Sequence, residues 1–386
     1  MLFRSNTIAT LPSTVVANAP LLDRPTSKPK YLKKLQEIKK PNTPGDLTKV
    51  LLRMLANPNI SSKIWVYGQY DHEVGIRTVV KPGQDASVLR LDNGKFLAVK
   101  IDGNSKHCYI DPRQGAMVCF EEACRNVVCT GAIPIGMVDH LQFGNPEDPE
   151  IFWTFKESLE GITAYAKYFE IPCVGGKVSF YNETNDGPIK PTPLIGVLGL
   201  IEKKSLSPQK ISQNDFQIVI GETKDELGGS EYYEYIHNLI GGQCPTVDFK
   251  NSKDCMDVVL DLIDRNLVNC VHDCSKGGIA IAVSELCINN QIGCITSLEE
   301  IPGHKLKPDE LLFSESHSRY VLAINQKNIK KIIDLLEQKQ VPYGIIGKFS
   351  GSSIVFKNKT RKIIDLRIDK AQEKWLNSLE SLVSHG

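Results

Sequence analysis

The sequence predicts a mixed α/β protein of two domains. Three observations carry this expectation. The 386 residues exceed what one hydrophobic core usually organises. Short apolar runs alternate with capped helical segments. The alternation stops in a polar tract from Glu202 to Asn214 and restarts after it. The expected division is a linker over 1–45, a first domain over 46–203 and a second over 204–386.

Residues 1–45 carry Pro12, Pro20, Pro25, Pro29 and Pro41, a lysine cluster and no acid before Asp23. The composition has something of a transit peptide, but no amphipathic arginine-rich helix is present and the prolines favour an extended linker. A short helix follows Asn42-Thr43-Pro44-Gly45-Asp46, with Val50, Leu51, Met54 and Leu55 on its apolar face. Lys63 to Val66 is expected to be a strand. A Pro82-Gly83 turn, an alternating run, a hairpin turn at Asp92-Asn93-Gly94 and the strand FLAVKI come next. Asp111-Pro112 opens a helix that buries Met117, Phe120, Cys124 and Val127, and Gly131 stands just past its end.

The run IPIGMV then leads to Asp139, which places this carboxylate at the end of a buried strand. Asp148 is the expected N-cap of the next helix, with Pro149 at its first position and Ile151, Phe152, Phe155, Leu159 and Ile162 at helical spacing. A strand IPCV runs into a turn at Gly175-Gly176, and residues 193–201 close the domain as a buried strand. In the second domain the strand FQIVIGE, a helix from Ser252 to Asn266, the strand LVNCVHD and a helix after Lys276-Gly277-Gly278 are expected. The strand SRYVLAI, a helix, two short strands and a terminal helix complete it.

Charge and cysteine content narrow the function. Lys+Arg 46 against Asp+Glu 45 leaves a net charge of +1, so no global field favours nucleic acid or an anionic membrane. No apolar run approaches the roughly 20 residues that cross a bilayer. The 11 cysteines are odd in number, sit within apolar strands and helices, and form no C-x-x-C pair. They are expected to be reduced and mostly buried, in a cytoplasmic protein.

Between Asp139 and Tyr181 the chain gathers a carboxylate, Gly176, Lys177 and Ser179. Glycines let backbone N–H groups approach an anion, with a lysine charge and a hydroxyl beside them; the same pair also serves a plain tight turn. A Walker A loop is excluded, because Ile171 stands where its first glycine belongs and Val178 where Ser or Thr belongs. Lys276, Gly277 and Gly278 open an apolar helix and form a second candidate anion site, or a glycine turn needed for packing. His272 and Asp273, at a strand end, suit either a metal or a structural hydrogen bond. The isolated His72, His107 and His140 give no catalytic arrangement by spacing.

Six phrases occur in order: Tyr70-Asp71-His72-Glu73-Val74, Val80-Lys81-Pro82-Gly83-Gln84-Asp85-Ala86, Phe143-Gly144-Asn145-Pro146, Gly175 to Glu183, Gly229-Ser230-Glu231-Tyr232 and His272 to Gly278. Together they resemble the C-terminal half of the phosphoribosylformylglycinamidine synthase family. Leu11-Pro12 to Arg24-Pro25 resembles the segment that joins that family's two halves. The resemblance implies an aminoimidazole-ribonucleotide-synthetase-like domain followed by a second α/β domain, packed against the N-terminal half as a pseudo-dimer. It implies ATP and Mg2+ as cofactors, a glutaminase subunit and a small bridging subunit as further partners, and an ATP-dependent C–N ligase of purine synthesis. ATP phosphorylates the amide oxygen of formylglycinamide ribonucleotide in that family, and ammonia displaces the phosphate.

By motif position, Asp139 and Gly176 are expected at ATP and Ser179 at the substrate. Lys177 stands where many members carry an asparagine that ligates magnesium. An ammonium cannot coordinate a metal, so Lys177 is expected to offer charge to a phosphate and the metal ligands stay unassigned. The family's catalytic histidine lies in an S-E-H-C-S-Y motif that this chain lacks. The chain is therefore expected to supply no catalytic residue and to be active only with the other half. Two alternatives stand: a scaffold half that holds nucleotide without turnover, and a homodimeric relative such as aminoimidazole ribonucleotide synthetase or a selenophosphate- or thiamine-phosphate-forming kinase.

Overall fold

A single helix, Pro112–Cys129, lies between two β-sheets and is buried along almost its whole length. The computed structural model describes residues 2, 3, 6, 7, 9–18, 23–202 and 206–384. The expected domain boundary between 203 and 204 lies outside the described residues.

The first sheet comprises β1 (Thr78–Val80), β2 (Ser87–Arg90), β3 (Phe96–Asp102), β4 (Ile133–Gln142), β5 (Cys173–Ser179) and β6 (Thr192–Ile201). Its spatial order is β1-β2-β3-β6-β4-β5. Only the β4/β5 pair is parallel. A parallel pair needs a long crossover, and the helix Pro149–Phe169 supplies it. The second sheet comprises β7 (Phe216–Ile220), β8 (Cys270–Asp273), β9 (Cys294–Ser297), β10 (Tyr320–Ile324), β11 (Tyr343–Phe349), β12 (Ser353–Asn358) and β13 (Arg361–Arg367). Its order is β8-β10-β7-β11-β9-β12-β13.

The principal helices are α1 (Leu47–Leu55), α2 (Pro112–Cys129), α3 (Pro149–Phe169), α4 (Phe249–Asp264), α5 (Gly278–Asn290) and α6 (Ile368–Ser384). Asp111 and Asp148 cap α2 and α3 as their spacing predicts, accepting from the backbone N–H of Gln114 and Glu150, with proline in the first turn of each. One core joins Val88, Ala98 and Val197 of the first sheet to Phe120 and Val127 of α2 and on to Ile218 and Leu322 of the second sheet. A second core, with Leu51, Met54, Ile281, Val219 and Phe356, fills the far side of the second sheet. Strand β7 contributes to both, which explains its unbroken apolar run.

Four expectations change. Residues 64–67 form a short helix, not a strand: a run of four apolar residues has no period, and Ser62 accepts from the N–H of Ile64 to start a turn. Three strands, β11 to β13, precede the last helix where two were expected. Asp139 lies inside β4, three residues before its end. Gly175 and Gly176 are extended residues of β5 paired with β4, not a turn.

Part of the N-terminal segment is ordered on the surface. Tyr31–Gln36 is a short helix whose Tyr31 ring stacks on Tyr109 at 4.7 Å, and Leu35 accepts from the N–H of Gly242. All the cysteines are free, and Cys173 alone is exposed. Among the described residues no helix is long and apolar enough to cross a membrane.

Candidate active cleft between the two sheets

Helix α2 is buried on every side, yet it carries Glu121, Glu122, Arg125 and Asn126. A helix in this position is normally apolar all round, so each of these groups needs a partner. The Arg125 guanidinium bonds Glu121, donates to Asp273 Oδ2 and to the Cys274 carbonyl at 3.2 Å each, and lies 2.7 Å from His317 Nδ1. Burial pushes the Glu121 carboxyl up, but Arg125 and His317 outweigh it and hold the group down at about 2. Glu122 lies 3.5 Å from Lys276 Nζ, and Asn126 donates to Asp102 Oδ2 at 3.2 Å.

Of these side chains, Asp102, Asn126 and Asp273 line a cleft of about 450 Å³ between the two sheets. Its first-sheet wall holds Asp85, after the Pro82-Gly83 turn, with Lys100 and Asp102 of β3; its second-sheet wall holds His272, Asp273 and Glu285. His272 spans the cleft wall, with Nδ1 2.6 Å from Asp85 Oδ1 and Nε2 3.1 Å from Glu285 Oε2. Burial opposes its protonation, but the two carboxylates prevail and raise it well above the usual histidine range. Lys100 Nζ is 3.7 Å from Asp102 Oδ1. Burial pushes Asp102 up to about 7 and Asp273 up to about 6, and the lining sets four carboxylates, Asp85, Asp102, Asp273 and Glu285, against Lys63, Lys100 and His272. Such a cleft accepts a metal ion, or a polyphosphate with its metal, more readily than a neutral ligand.

The residues singled out around Asp139 occupy a different place. Asp139 pairs with Gly176 across β4 and β5, and a Cβ on Gly176 would stand 2.5 Å from Asp139 Oδ1. Gly176 thus leaves room for the carboxylate where it lies, rather than forming a turn. Burial raises the Asp139 pKa, and the exposed Cys173 thiol lies 3.7 Å from Oδ2. Ser179 is half-buried and donates to Asn182 at 3.3 Å, while Lys177 is exposed. Ile195 of β6 pairs with Asp102 on one side and Asp139 on the other. The two carboxylates therefore share one face of the sheet with a strand between them, about 10 Å apart at the strand spacing. Asp139 flanks the cleft and does not line it.

The second candidate anion site is already filled. The Gly277 N–H at the start of α5 donates to Glu315 Oε1 at 2.8 Å, and the same oxygen takes the Glu231 N–H at 2.9 Å. The chain's own carboxylate sits where an external anion was expected. Gly278 is there because a Cβ would stand 2.4 Å from the Ser314 carbonyl. Lys276 is turned toward Glu122, and that carboxylate raises its pKa. Of the isolated histidines, His107 is buried with both ring nitrogens unbonded, and burial holds it neutral although Glu315 lies 3.5 Å away.

Asp85, Lys100, Asp102, Glu122 and Glu285 were not singled out individually from the sequence. Asp85 lies within a quoted phrase, and Glu122 and Asn126 share a helical face by their spacing; Lys100 carries no local signal.

The outer face of the first sheet is bare. Ile101, Gly196, Val138 and Gly175 form one rung across it, with Val174 packed against Gly136 nearby. Ile101 is 63% exposed, Val138 39% and Val174 64%. An apolar sheet face of this kind, flattened by three glycines, suits another sheet.

The comparisons with known proteins follow this architecture. A family model described as AIR synthase related protein, N-terminal domain, matches residues 83–201, and its C-terminal counterpart matches residues 215–357, together more than half of the chain. The chain belongs to the AIR synthase related family. The first of these family domains contains the six-stranded sheet apart from β1, and the second contains most of the seven-stranded one. Among its relatives, phosphoribosylformylglycinamidine synthase subunit PurL of Methanocaldococcus jannaschii is 40% identical over 99% of this chain and 53% of its own length. PurL of Moorella thermoacetica is 37% identical over 98% of this chain and 52% of its own. The chain thus spans about half the length of these relatives. Thermotoga maritima PurL complexed with FGAR shares the fold at a TM-score of 0.69 and 19% identity, over 89% of this chain and 56% of that one. The PurLQS structure from the same organism matches at 0.67 and 20%, over 90% of this chain and 54% of that one.

Proposed function

We propose that this AIR synthase related chain is the C-terminal half of a cytoplasmic phosphoribosylformylglycinamidine synthase, divided into the domains expected above and acting with a separate or adjoining N-terminal half. The observation that carries the reading is the match itself: near-complete coverage of this chain against half of PurL. The bare outer face of the first sheet supports it, since it offers the missing half a surface. A glutaminase subunit and a small bridging subunit complete the assembly, in keeping with the PurLQS structure of the relative.

In this reading ATP phosphorylates the amide oxygen of formylglycinamide ribonucleotide, and ammonia then displaces phosphate. An amide oxygen leaves poorly until phosphorylated, and the phosphoryl charge in that step needs fixed donors and cations. Asp139 and Gly176 lie at the nucleotide and Ser179 at the substrate, on the sheet edge that faces the other half. Lys177, exposed beside them, offers charge to a phosphate. The cleft suits a further nucleotide: Lys100 and Lys276 offer phosphate charge, and the Asp102, Glu122 and Asn126 oxygens are the hard donors Mg2+ requires. Magnesium would supply charge neutralisation there.

The test is ADP formation from ATP, formylglycinamide ribonucleotide and ammonium chloride, with this chain alone and mixed with a separately expressed N-terminal half. Activity in the mixture only is expected, lost in Asp139→Ala and Ser179→Ala. Turnover by this chain alone would overturn the reading. A nucleotide-holding scaffold half is the second reading, favoured by cleft carboxylates that already hold Lys100, Lys276 and Arg125. Reconstituted activity that survives both substitutions would support it.

A further inference from the structure

We propose that Asp85, His272 and Asp273 form a binding site for a divalent transition-metal ion, of the Mn2+, Co2+ or Zn2+ class, that ties the first sheet to the second. One donor atom from each residue lies within 4.8 Å of the other two. An ion at about 2.0–2.2 Å from each donor fits among them once Asp85 Oδ1 and His272 Nδ1, now 2.6 Å apart, open slightly.

The imidazole is held for this task. Its Nε2 lies 3.1 Å from Glu285 Oε2, so an ion that displaces the proton between Nδ1 and Asp85 leaves Nε2–H donating to Glu285 and the Nδ1 lone pair free for the metal, while Arg125 holds Asp273 through Oδ2. An outer carboxylate on the far nitrogen is the usual support of a metal-binding histidine. The three residues also line the cleft, which gives an ion a path from solvent.

The donor set decides the class of ion. Two carboxylate oxygens and one imidazole nitrogen favour borderline transition metals over Mg2+ and Ca2+, which prefer oxygen alone. This separates the ion from the magnesium a nucleotide would bring, and the site needs no nucleotide. Asp85 and His272 are 187 residues apart in the chain, one beside each sheet. The bound ion therefore acts as a clamp between the two.

The test uses the full chain, stripped with a chelator and titrated with Co2+ in the absence of nucleotide, read by visible d–d absorption and by the thermal midpoint. One saturating equivalent, a raised Tm and little competition from excess Mg2+ are expected. Asp85→Asn and His272→Gln should abolish both signals, and Glu285→Gln should weaken binding about 10- to 100-fold as loss of an outer-shell partner does. If the first two variants fail to fold, Glu285→Gln, whose side chain is partly exposed, decides alone. Absence of saturable binding, a titration unchanged in these variants, equal competition by Mg2+, or a thiolate charge-transfer band placing the ion on cysteine would each overturn the proposal. Because nucleotide is absent throughout, failure here leaves the synthase reading untouched.

Discussion

Replacing Arg125 by methionine should cost the chain a large share of its stability. The side chain is fully buried, and its guanidinium joins Glu121 of its own helix to Asp273, the Cys274 carbonyl and His317 of the second sheet region. Methionine fills much of the volume but leaves two buried carboxylates without their cation. Breaking a buried pair in this way costs about 3 to 5 kcal/mol, because the remaining charge is neither solvated nor paired. With a urea m-value of about 3 kcal/mol/M, the midpoint falls by about 1 to 1.7 M. Far-UV circular dichroism in urea, at neutral pH, reads this directly.

The double variant Arg125→Met with Glu121→Gln separates charge from packing. If the stranded carboxylate is the source of the loss, the second substitution restores on the order of 1 to 3 kcal/mol as a coupling energy. A single variant within about 1 kcal/mol of the parent, or strictly additive losses in the double, would refute the assignment of Arg125 as the tie between α2 and the second sheet.

Two further outcomes follow from other buried or exposed groups. Burial, and then the Glu231 carboxylate, pushes Glu315 up to about 7 from an ordinary value near 4.5. The native state thus keeps a proton that the unfolded chain releases, so this contribution is fully present below about pH 4.5 and is lost as pH rises through 7. Glu315→Gln keeps the acceptor for the Gly277 N–H, and its stability relative to the parent should improve from pH 5 to pH 8; a pH-independent difference in urea midpoint would contradict the assignment. On the outer face, Val138→Asp should leave stability within about 0.5 kcal/mol, as for other surface changes. It should also weaken binding of the N-terminal half at least about tenfold, by about 1.4 kcal/mol or more, measured by calorimetry; unchanged affinity would remove this face from the interface.

What could be read from the sequence was local chemistry. Asp111-Pro112 and Asp148-Pro149 cap their helices because a carboxylate two or three residues ahead of a free N–H needs nothing from the rest of the fold. The runs 193–201 and FQIVIGE announced buried strands for the same reason. Glu121 and Arg125 show where this ends. Spaced four apart, they read as an ordinary surface pair on a helix, and only the second sheet lying over α2 turns them into a buried network. The cleft was invisible for a related cause: Asp85, Lys100 and His272 meet only where the two sheets pack together, and no one stretch contains their chemistry.

The two glycine pairs show how a local signal misleads in a specific way. Both were read as turns open to an anion, since glycine admits backbone shapes and approaches that other residues do not. At Gly277-Gly278 the place expected for an external anion is taken by the side chain of Glu315 from the same chain. At Gly175-Gly176 the backbone is extended, and the missing side chains do two separate jobs on the two faces of β5. On one face the absent Cβ of Gly176 makes room for the Asp139 carboxylate; on the other, Gly175 keeps the surface beside Val138 flat. A pair that looks like one feature in sequence therefore couples the placement of the Asp139 carboxylate to the shape of the bare outer face. Substituting Gly175 should disturb assembly first, and substituting Gly176 the nucleotide contact first, which a turn would not distinguish.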